Sequence, residues 1–127
     1  LPPVVGGDTT SIAGCWTLTL WRGAEPTFDI YMDISTDGCV TLYQRMESRQ
    51  WETFVSAAAI EDGIISGTYT DGVAWSTSYG VVVDGDTMTW TSTLDSGDVS
   101  VYERCVLPDE IFRAGMLSLT MPSSRFL

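Results

Sequence analysis

Turn signals at regular intervals constrain the fold of this chain more than any other feature of its sequence. Asp and Gly are adjacent, or one residue apart, in five short segments: Thr36-Asp37-Gly38, Glu61-Asp62-Gly63, Thr70-Asp71-Gly72, Val83-Asp84-Gly85 and Asp95-Ser96-Gly97. Such segments supply the positive φ angles that tight hairpins demand. From residue 61 onward they recur at close to the spacing of about 8–12 residues that is typical of a meander of short antiparallel strands.

Apolar and polar residues alternate between these turns. In one such segment the apolar residues fall on every second position: Phe28, Ile30, Met32 and Ile34. Met88 and Trp90 alternate with threonines in the same way. A period of two with one polar face indicates half-buried strands rather than helices.

The pattern predicts eight strands and one short helix. The strands are expected at about 15–22, 27–34, 39–46, 50–60, 63–70, 74–83, 86–94 and 98–106. After Pro108, acidic residues at the start and a glycine at the end favour a short helix over 109–115. We therefore divide the chain into an N-terminal tether (1–10), a β-domain (11–108) and a short helix with a C-terminal tail (109–127).

Eight sequential antiparallel strands with short connections leave two unpaired sheet edges unless the sheet closes. We therefore predict an all-β fold, an eight-stranded antiparallel up-and-down barrel, which is wide enough to hold one small ligand. The alternative is a two-sheet sandwich. A sandwich usually needs Greek-key crossovers, and no connection in this sequence is long enough to suggest one.

The composition argues against most catalytic chemistry. The 127 residues include no His, Lys or Asn. This removes histidine bases, Schiff-base lysines, Ser–His pairs and histidine-ligated metals. Six basic residues oppose 17 acidic ones, for a net charge of -11, so nucleic acid is an unfavourable partner. We predict an acidic protein that is not an enzyme and carries no cofactor.

Several short motifs occur in a recognisable order. Gly14-Cys15-Trp16 opens the first strand, and Val101-Tyr102-Glu103-Arg104 ends the last. Between them lie a Gly-Thr-Tyr-x-Asp-Gly segment at 67–72 and a Trp-x-x-x-Tyr segment at 75–79. Over residues 11–108 this order resembles the lipocalin pattern, a calycin-type barrel. It is closer still to the small lipocalin-like domains of secreted Bacteroidetes lipoproteins. The chain is shorter than the larger lipocalins and lacks their long first loop.

The resemblance implies a structural base for the barrel, in which Gly14 and Trp16 pack against Arg104. Strand parity independently places Trp16 and Leu20 on the same face and Arg104 inward, although an exposed arginine and an ordinary core tryptophan remain the alternative. The resemblance also implies an extracytoplasmic lipoprotein, at the outer membrane or cell surface, whose only membrane contact is a lipid anchor. Most such domains have no assigned ligand.

Aromatic residues on five strands are the main indication of a binding site. The residues predicted to face inward and bind a ligand are Trp51, Trp75, Tyr79, Trp90 and Tyr102. Ligand pockets are mostly apolar with a few polar groups, and Trp and Tyr supply both. Ala57 and Ala59, on the same predicted face, favour some free space. The alternative is that the aromatic side chains simply fill the barrel.

The remaining chemistry-bearing residues indicate no site. The aspartates match no calcium-loop spacing, so we predict no metal. No Asp or Glu is expected to face inward, which disfavours a hydrolase. Cys15 and Cys105 come close together if the barrel closes. The sequence is compatible with a disulfide between them and with two free thiols.

Together these observations predict a non-enzymatic, lipocalin-like domain that binds a small apolar or amphipathic molecule inside the barrel. The alternative is an extracytoplasmic protein–protein interaction module with a filled barrel. In that case Val99 and Val101, on the outer face of the last strand, would contact the short helix or another chain.

Overall fold

The computed structural model describes residues 9–46, 49–114 and 125–127 and contains eight antiparallel strands closed into a barrel. Each strand pairs with its neighbours in sequence and the last pairs with the first, which confirms the predicted all-β up-and-down fold. The strands are β1 (Gly14–Trp21), β2 (Asp29–Ile34), β3 (Cys39–Arg45), β4 (Trp51–Glu61), β5 (Ile64–Tyr69), β6 (Tyr79–Asp84), β7 (Thr87–Ser92) and β8 (Val99–Arg104). Within the described residues, one short α-helix, α1 (Asp109–Ala114), follows β8.

Parts of the two predicted terminal segments lie outside the described residues: 1–8 of the tether and 115–124 of the tail. A 3-10 turn, Thr10–Ile12, precedes β1 and buries Ile12. No helix in the described part of the chain is long and apolar enough to cross a bilayer.

The hairpin between β4 and β5 shows how an Asp-Gly turn sets the register. Asp62 and Gly63 have φ angles of 54° and 76°. Two consecutive positive φ angles define the two-residue turn whose twist matches that of the flanking strands. Glu61 accordingly pairs with Ile64, directly across the turn.

A bulge in β1 changes which side chains face the barrel interior. The pairing of β1 with β8 shifts between Leu18 and Leu20, so that Leu20 lies opposite Val101 and Trp21 opposite Ser100. An extra residue in one strand reverses the alternation beyond it. The prediction that Leu20 shares a face with Trp16 is therefore wrong, since Trp16 is buried and the Leu20 side chain is exposed. Trp21 is directed inward instead.

The faces of β4 are the reverse of those predicted. Glu52 and Ala58 face inward and are buried, whereas Ala57 is exposed and Ala59 is only half-buried. Because side chains alternate along a strand, a one-residue error in parity moves the whole set to the other face. The prediction that no acidic residue faces inward is also wrong, at Glu52.

Trp51 is buried, but on the outside of the barrel. It pairs in register with Arg45, and the Arg45 guanidinium carbon lies 4.7 Å from the centre of its ring. Its ring centre is 5.9 Å from that of Tyr31 on β2. Helix α1 covers this face, where Glu110 pairs with Arg45 at 3.6 Å. The predicted inward position of Trp51 is therefore wrong, because the packing of Arg45 and Tyr31 against it makes this outer residue as buried as an inner one.

The start of β6 also differs from the sequence prediction. The strand begins at Tyr79 rather than near residue 74. Before it, the chain bends back over β5, where the backbone N–H of Trp75 donates to the Gly67 carbonyl at 2.9 Å. Only two residue pairs then connect β5 and β6, so this is the shortest pairing between adjacent strands.

Candidate functional site

One end of the barrel is closed by the packing of Trp16 against Arg104. The guanidinium carbon of Arg104 lies 4.2 Å from the centre of the Trp16 ring, and its Nη1 donates to the Ala13 carbonyl at 3.0 Å. The Trp16 Nε1 donates to the Ile12 carbonyl at 2.9 Å. Gly14 has a φ of +125°, and a Cβ there would lie 2.7 Å from Arg104 Nη1. These side chains form one packed unit, which we call the base.

The interior above the base holds four of the five predicted aromatic residues. The ring centres of Trp90 and Tyr79 are 5.3 Å apart, those of Trp90 and Tyr102 5.6 Å, and those of Trp90 and Trp75 5.9 Å. Trp90 and Tyr102 are 0% exposed. Trp51 lies on the opposite side of the barrel wall and does not join them. The four rings fill the centre of the barrel, and we call them the aromatic cluster.

Two polar atoms of the aromatic cluster point into this apolar interior. Within the described residues, the Trp90 Nε1 is buried without a hydrogen-bond partner, whereas the Tyr102 hydroxyl interacts with the Ser100 side chain. Burial raises the pKa of Tyr102 well above its ordinary value, so the hydroxyl keeps its proton at neutral pH. Both groups therefore remain donors. The unpaired Trp90 Nε1 is a cost to stability that the packing of the cluster has to offset.

The other end of the barrel, the mouth, has an aromatic rim that the sequence did not reveal. The bulge in β1 directs Trp21 to this end, where its ring centre is 5.4 Å from Phe28 and 6.2 Å from Phe126. These rings line a cavity of about 200 Å³ that extends down to Tyr79 of the aromatic cluster. Trp21 Nε1 donates to the carboxylate of Asp98, at the edge of the same cavity, at 3.3 Å.

The segment 125–127 lies in the mouth and covers part of this cavity. Its backbone is held at two points, since Phe126 N–H donates to Gln44 Oε1 at 3.0 Å and the Tyr69 hydroxyl donates to the Leu127 carbonyl at 3.1 Å. Burial raises the pKa of Tyr69 to about 12, so this hydroxyl also remains a donor. Nothing in the residue pattern of 125–127 indicated this placement, which depends on backbone hydrogen bonds.

Arg125 attaches the same segment to the turn that follows β5 and also lines the mouth cavity. Its guanidinium forms an ion pair with Asp71, and its carbon lies 4.3 Å from the centre of the Tyr69 ring. Hydrogen bonding to Arg125 holds the pKa of Asp71 below its ordinary value. The positive charge of Arg125 is therefore paired with Asp71 beside the mouth, whereas the Asp98 carboxylate accepts a hydrogen bond from the Trp21 Nε1.

Gln44 and Glu52 form a buried polar pair beneath the segment. Gln44 Nε2 donates to Glu52 Oε1 at 3.3 Å, and both side chains are buried. Gln44 therefore connects the inward carboxylate of β4 to the backbone of Phe126. The sequence prediction missed this pair because it assigned Trp51, rather than Glu52, to the inner face.

A second cavity, of about 390 Å³, lies along the short pairing between β5 and β6. It is lined mainly by small side chains around Gly67 and by the indole of Trp75, whose Nε1 donates to Ser56 Oγ at 2.9 Å. A Cβ at Gly67 would lie 2.5 Å from a Trp75 ring carbon. The close contact of ring and backbone closes the wall where strand pairing is shortest.

We expect Gly67→Ala to lower the free energy of unfolding by about 1–3 kcal/mol, because the added methyl group overlaps the Trp75 ring. Gly80→Ala on β6 is the matched control. A Cβ there meets nothing closer than 3.8 Å. Urea denaturation of both variants tests the expectation, and equal losses would contradict a steric role for Gly67.

No protein-family model and no curated protein sequence matches the chain. Among solved structures, the crystal structure of the lipoprotein YedD from Klebsiella pneumoniae subsp. pneumoniae MGH 78578 superposes with a TM-score of 0.59. The alignment covers 87% of this chain and 86% of that one, at 16% sequence identity. The likeness is one of fold. It fits a lipocalin-like barrel, and YedD is described as a lipoprotein.

Proposed function

We propose that this chain is a non-enzymatic, lipocalin-like domain that binds one small apolar or amphipathic molecule at the mouth of its barrel. The observation that carries the proposal is the cavity of about 200 Å³ between the rim residues Trp21 and Phe28 and the aromatic cluster. Aromatic rings line this cavity together with the polar side chains of Ser76, Asp98, Ser100 and Arg125, a combination that suits an amphipathic molecule.

The charge at the mouth favours a neutral or cationic head group. Asp98 presents its carboxylate beside the ring of Trp21, whereas Arg125, which lines the same cavity, is already paired with Asp71. The net charge of the whole chain is -11. Aromatic faces and a carboxylate both attract a cation, and long-range repulsion slows the approach of anions at low salt. Fatty acids are therefore poorer ligands in this proposal than alcohols, glycosides or quaternary amines of the same chain length.

Three probes with the same eight-carbon chain test this proposal: octyltrimethylammonium, octyl glucoside and octanoate. We expect the first two to bind with a Kd on the order of 10–100 μM and octanoate more weakly. Binding should change the emission of Trp21, which lines the cavity. Tyr79→Ala should weaken binding because Tyr79 lines the cavity, and Trp90→Ala should do so because Trp90 packs against Tyr79.

Asp98→Asn and Asp29→Asn are the matched pair for the effect of charge. Each removes one carboxylate, but Asp29 lies on the outer face, where it pairs with Arg45 at 2.8 Å. Only Asp98→Asn should reduce the preference for the cationic probe over the neutral one. Calorimetric titrations that detect no saturable binding of any probe would refute the proposed function.

The filled interior supports the second candidate, an extracytoplasmic interaction module. Trp90 and Tyr102 occupy the centre of the barrel, and large apolar side chains are exposed outside it, among them Leu94 and Phe112. Val99 and Val101 on the outer face of β8 are half-buried. This candidate predicts that no probe binds, and that substitutions at Leu94 or Phe112 abolish capture of a partner protein.

We further propose an extracytoplasmic location, as a lipid-anchored protein of the outer membrane or cell surface. The fold shared with the lipoprotein YedD supports this placement, as does the resemblance of the Gly14–Trp16 motif to secreted lipocalin-like domains. The test is to express the full precursor with an epitope tag, to separate the cell fractions, and to measure incorporation of a labelled lipid into the protein. Recovery of unlabelled protein from the cytosol alone would contradict it.

A further inference from the structure

The pairing that closes the barrel brings two cysteines to the same point. Trp16 of β1 pairs with Arg104 of β8. Cys15 precedes Trp16 and Cys105 follows Arg104, so the two cysteines face each other across the antiparallel pair. The backbone N–H of Cys105 donates to the Cys15 carbonyl at 3.1 Å, and the two Sγ atoms are 3.0 Å apart.

We propose that Cys15 and Cys105 form a disulfide that covalently closes the barrel between β1 and the end of β8. A disulfide requires Cα atoms about 4.4–6.8 Å apart, and residues directly opposite each other on antiparallel strands lie about 4.5–5.5 Å apart. The sulfur atoms need to approach by about 1 Å to reach the bond length of about 2.05 Å. Rotation of the two side chains supplies that distance without a change in register.

The oxidant is a disulfide of low molecular mass or a thiol–disulfide oxidoreductase. Glutathione disulfide serves as the example of such an oxidant. The thiolate of one cysteine attacks one glutathione sulfur, which gives a mixed disulfide and releases one glutathione thiolate. The thiolate of the second cysteine then attacks the sulfur of the first and releases the other glutathione. Two electrons pass from the protein to glutathione disulfide, and the two protons lost by Cys15 and Cys105 end on the two glutathione thiols.

The surroundings of the pair favour a structural bridge over a redox-active one. Burial, with a further contribution from the hydrogen bond to Cys105, raises the pKa of Cys15 to about 12. Burial also raises the pKa of Cys105. Thiols with high pKa values are slow to leave a disulfide, so the bridge, once formed, resists reduction. Redox-active cysteines instead have lowered pKa values.

A bridge at this position would stabilise the closed barrel. Cys15 and Cys105 are 90 positions apart, so the bond encloses nearly the whole barrel. A loop of this length loses much of its unfolded-state freedom when it is cross-linked. The bridge also lies next to Trp16 and Arg104, and it fixes the strand ends that hold the base together.

Alkylation of the intact protein tests the pairing directly. The purified chain is incubated with glutathione disulfide and acid-quenched, then unfolded and returned to mildly alkaline pH in excess iodoacetamide, since the thiolate is the form that is alkylated. We expect intact-mass spectrometry to show a single alkylated thiol, at Cys39, and three after reduction. A digest should contain the peptide of Cys15 linked to that of Cys105. Three alkylated thiols before reduction, or a bridge that includes Cys39, would overturn the proposal.

A thermal measurement tests the stabilising effect. The oxidised protein should unfold about 10 °C above the reduced protein. Cys39→Ser should keep this difference, whereas Cys15→Ser and Cys105→Ser should each abolish it without preventing folding. Equal Tm values for the oxidised and reduced wild-type protein, with the bridge confirmed by mass, would refute its role in holding the barrel closed.

Discussion

Trp16→Ala is expected to lower the free energy of unfolding by about 3–5 kcal/mol, the range for truncation of a fully buried large aromatic residue. Trp16 is 0% exposed, and its ring and its Nε1 both have partners within the base. The variant loses the contact with Arg104 and leaves the Ile12 carbonyl without its donor. Urea denaturation monitored by far-UV circular dichroism measures the loss. A loss below about 1 kcal/mol would contradict the packing described for the base.

A double-mutant cycle separates the Trp16–Arg104 contact from the rest of the base. We expect Arg104→Ala to cost less than Trp16→Ala, and the two losses to be non-additive by at least about 0.5–1 kcal/mol. Asp86→Ala is the control, because Asp86 lies 3.6 Å from Arg104 Nε but is almost fully exposed. Exposed ion pairs contribute little to stability. Additive losses at Trp16 and Arg104 would remove the stacking contact from the account of stability.

The architecture could be predicted from the sequence because two independent patterns agree. Alternation identifies strands, and the Asp-Gly segments identify tight turns between many of them, so few topologies are compatible with both. The turn at Asp62-Gly63 has the two positive φ angles that its residues favour. The short helix near 109–115 could be predicted in the same way, from charges and a glycine at its ends.

The inner and outer faces were less predictable, and the errors have physical causes. The bulge after Leu18 reverses the alternation in β1, and no residue in that strand marks its position. In β4, buried apolar residues occur at both parities, because Arg45 and Tyr31 cover Trp51 on the outside while Ala58 packs inside. A pattern of alternation identifies one buried face only when the other face is in contact with water.

The candidate site could be predicted only in part for the same reasons. Four of the five aromatic residues meet inside the barrel, but the rim of the mouth depends on the bulge that directs Trp21 inward and on Phe126. The placement of Phe126 depends on hydrogen bonds to Gln44 and from Tyr69 to its neighbour Leu127. Contacts between residues so far apart in sequence leave no local pattern for sequence analysis to detect.

Trp90→Ala is expected to cost about 3–5 kcal/mol, because Trp90 is the ring that contacts the other three members of the aromatic cluster. The truncation leaves an apolar cavity between Trp75, Tyr79 and Tyr102. Added indole should fill that cavity and restore part of the lost stability in proportion to its concentration, as a ligand that binds only the folded state does. Leu94→Ala is the control, since Leu94 is 80% exposed; it should change stability by less than about 0.5 kcal/mol and show no response to indole. Chemical denaturation with and without indole measures both effects. Equal behaviour of the two variants would show that Trp90 does not hold the centre of the barrel together.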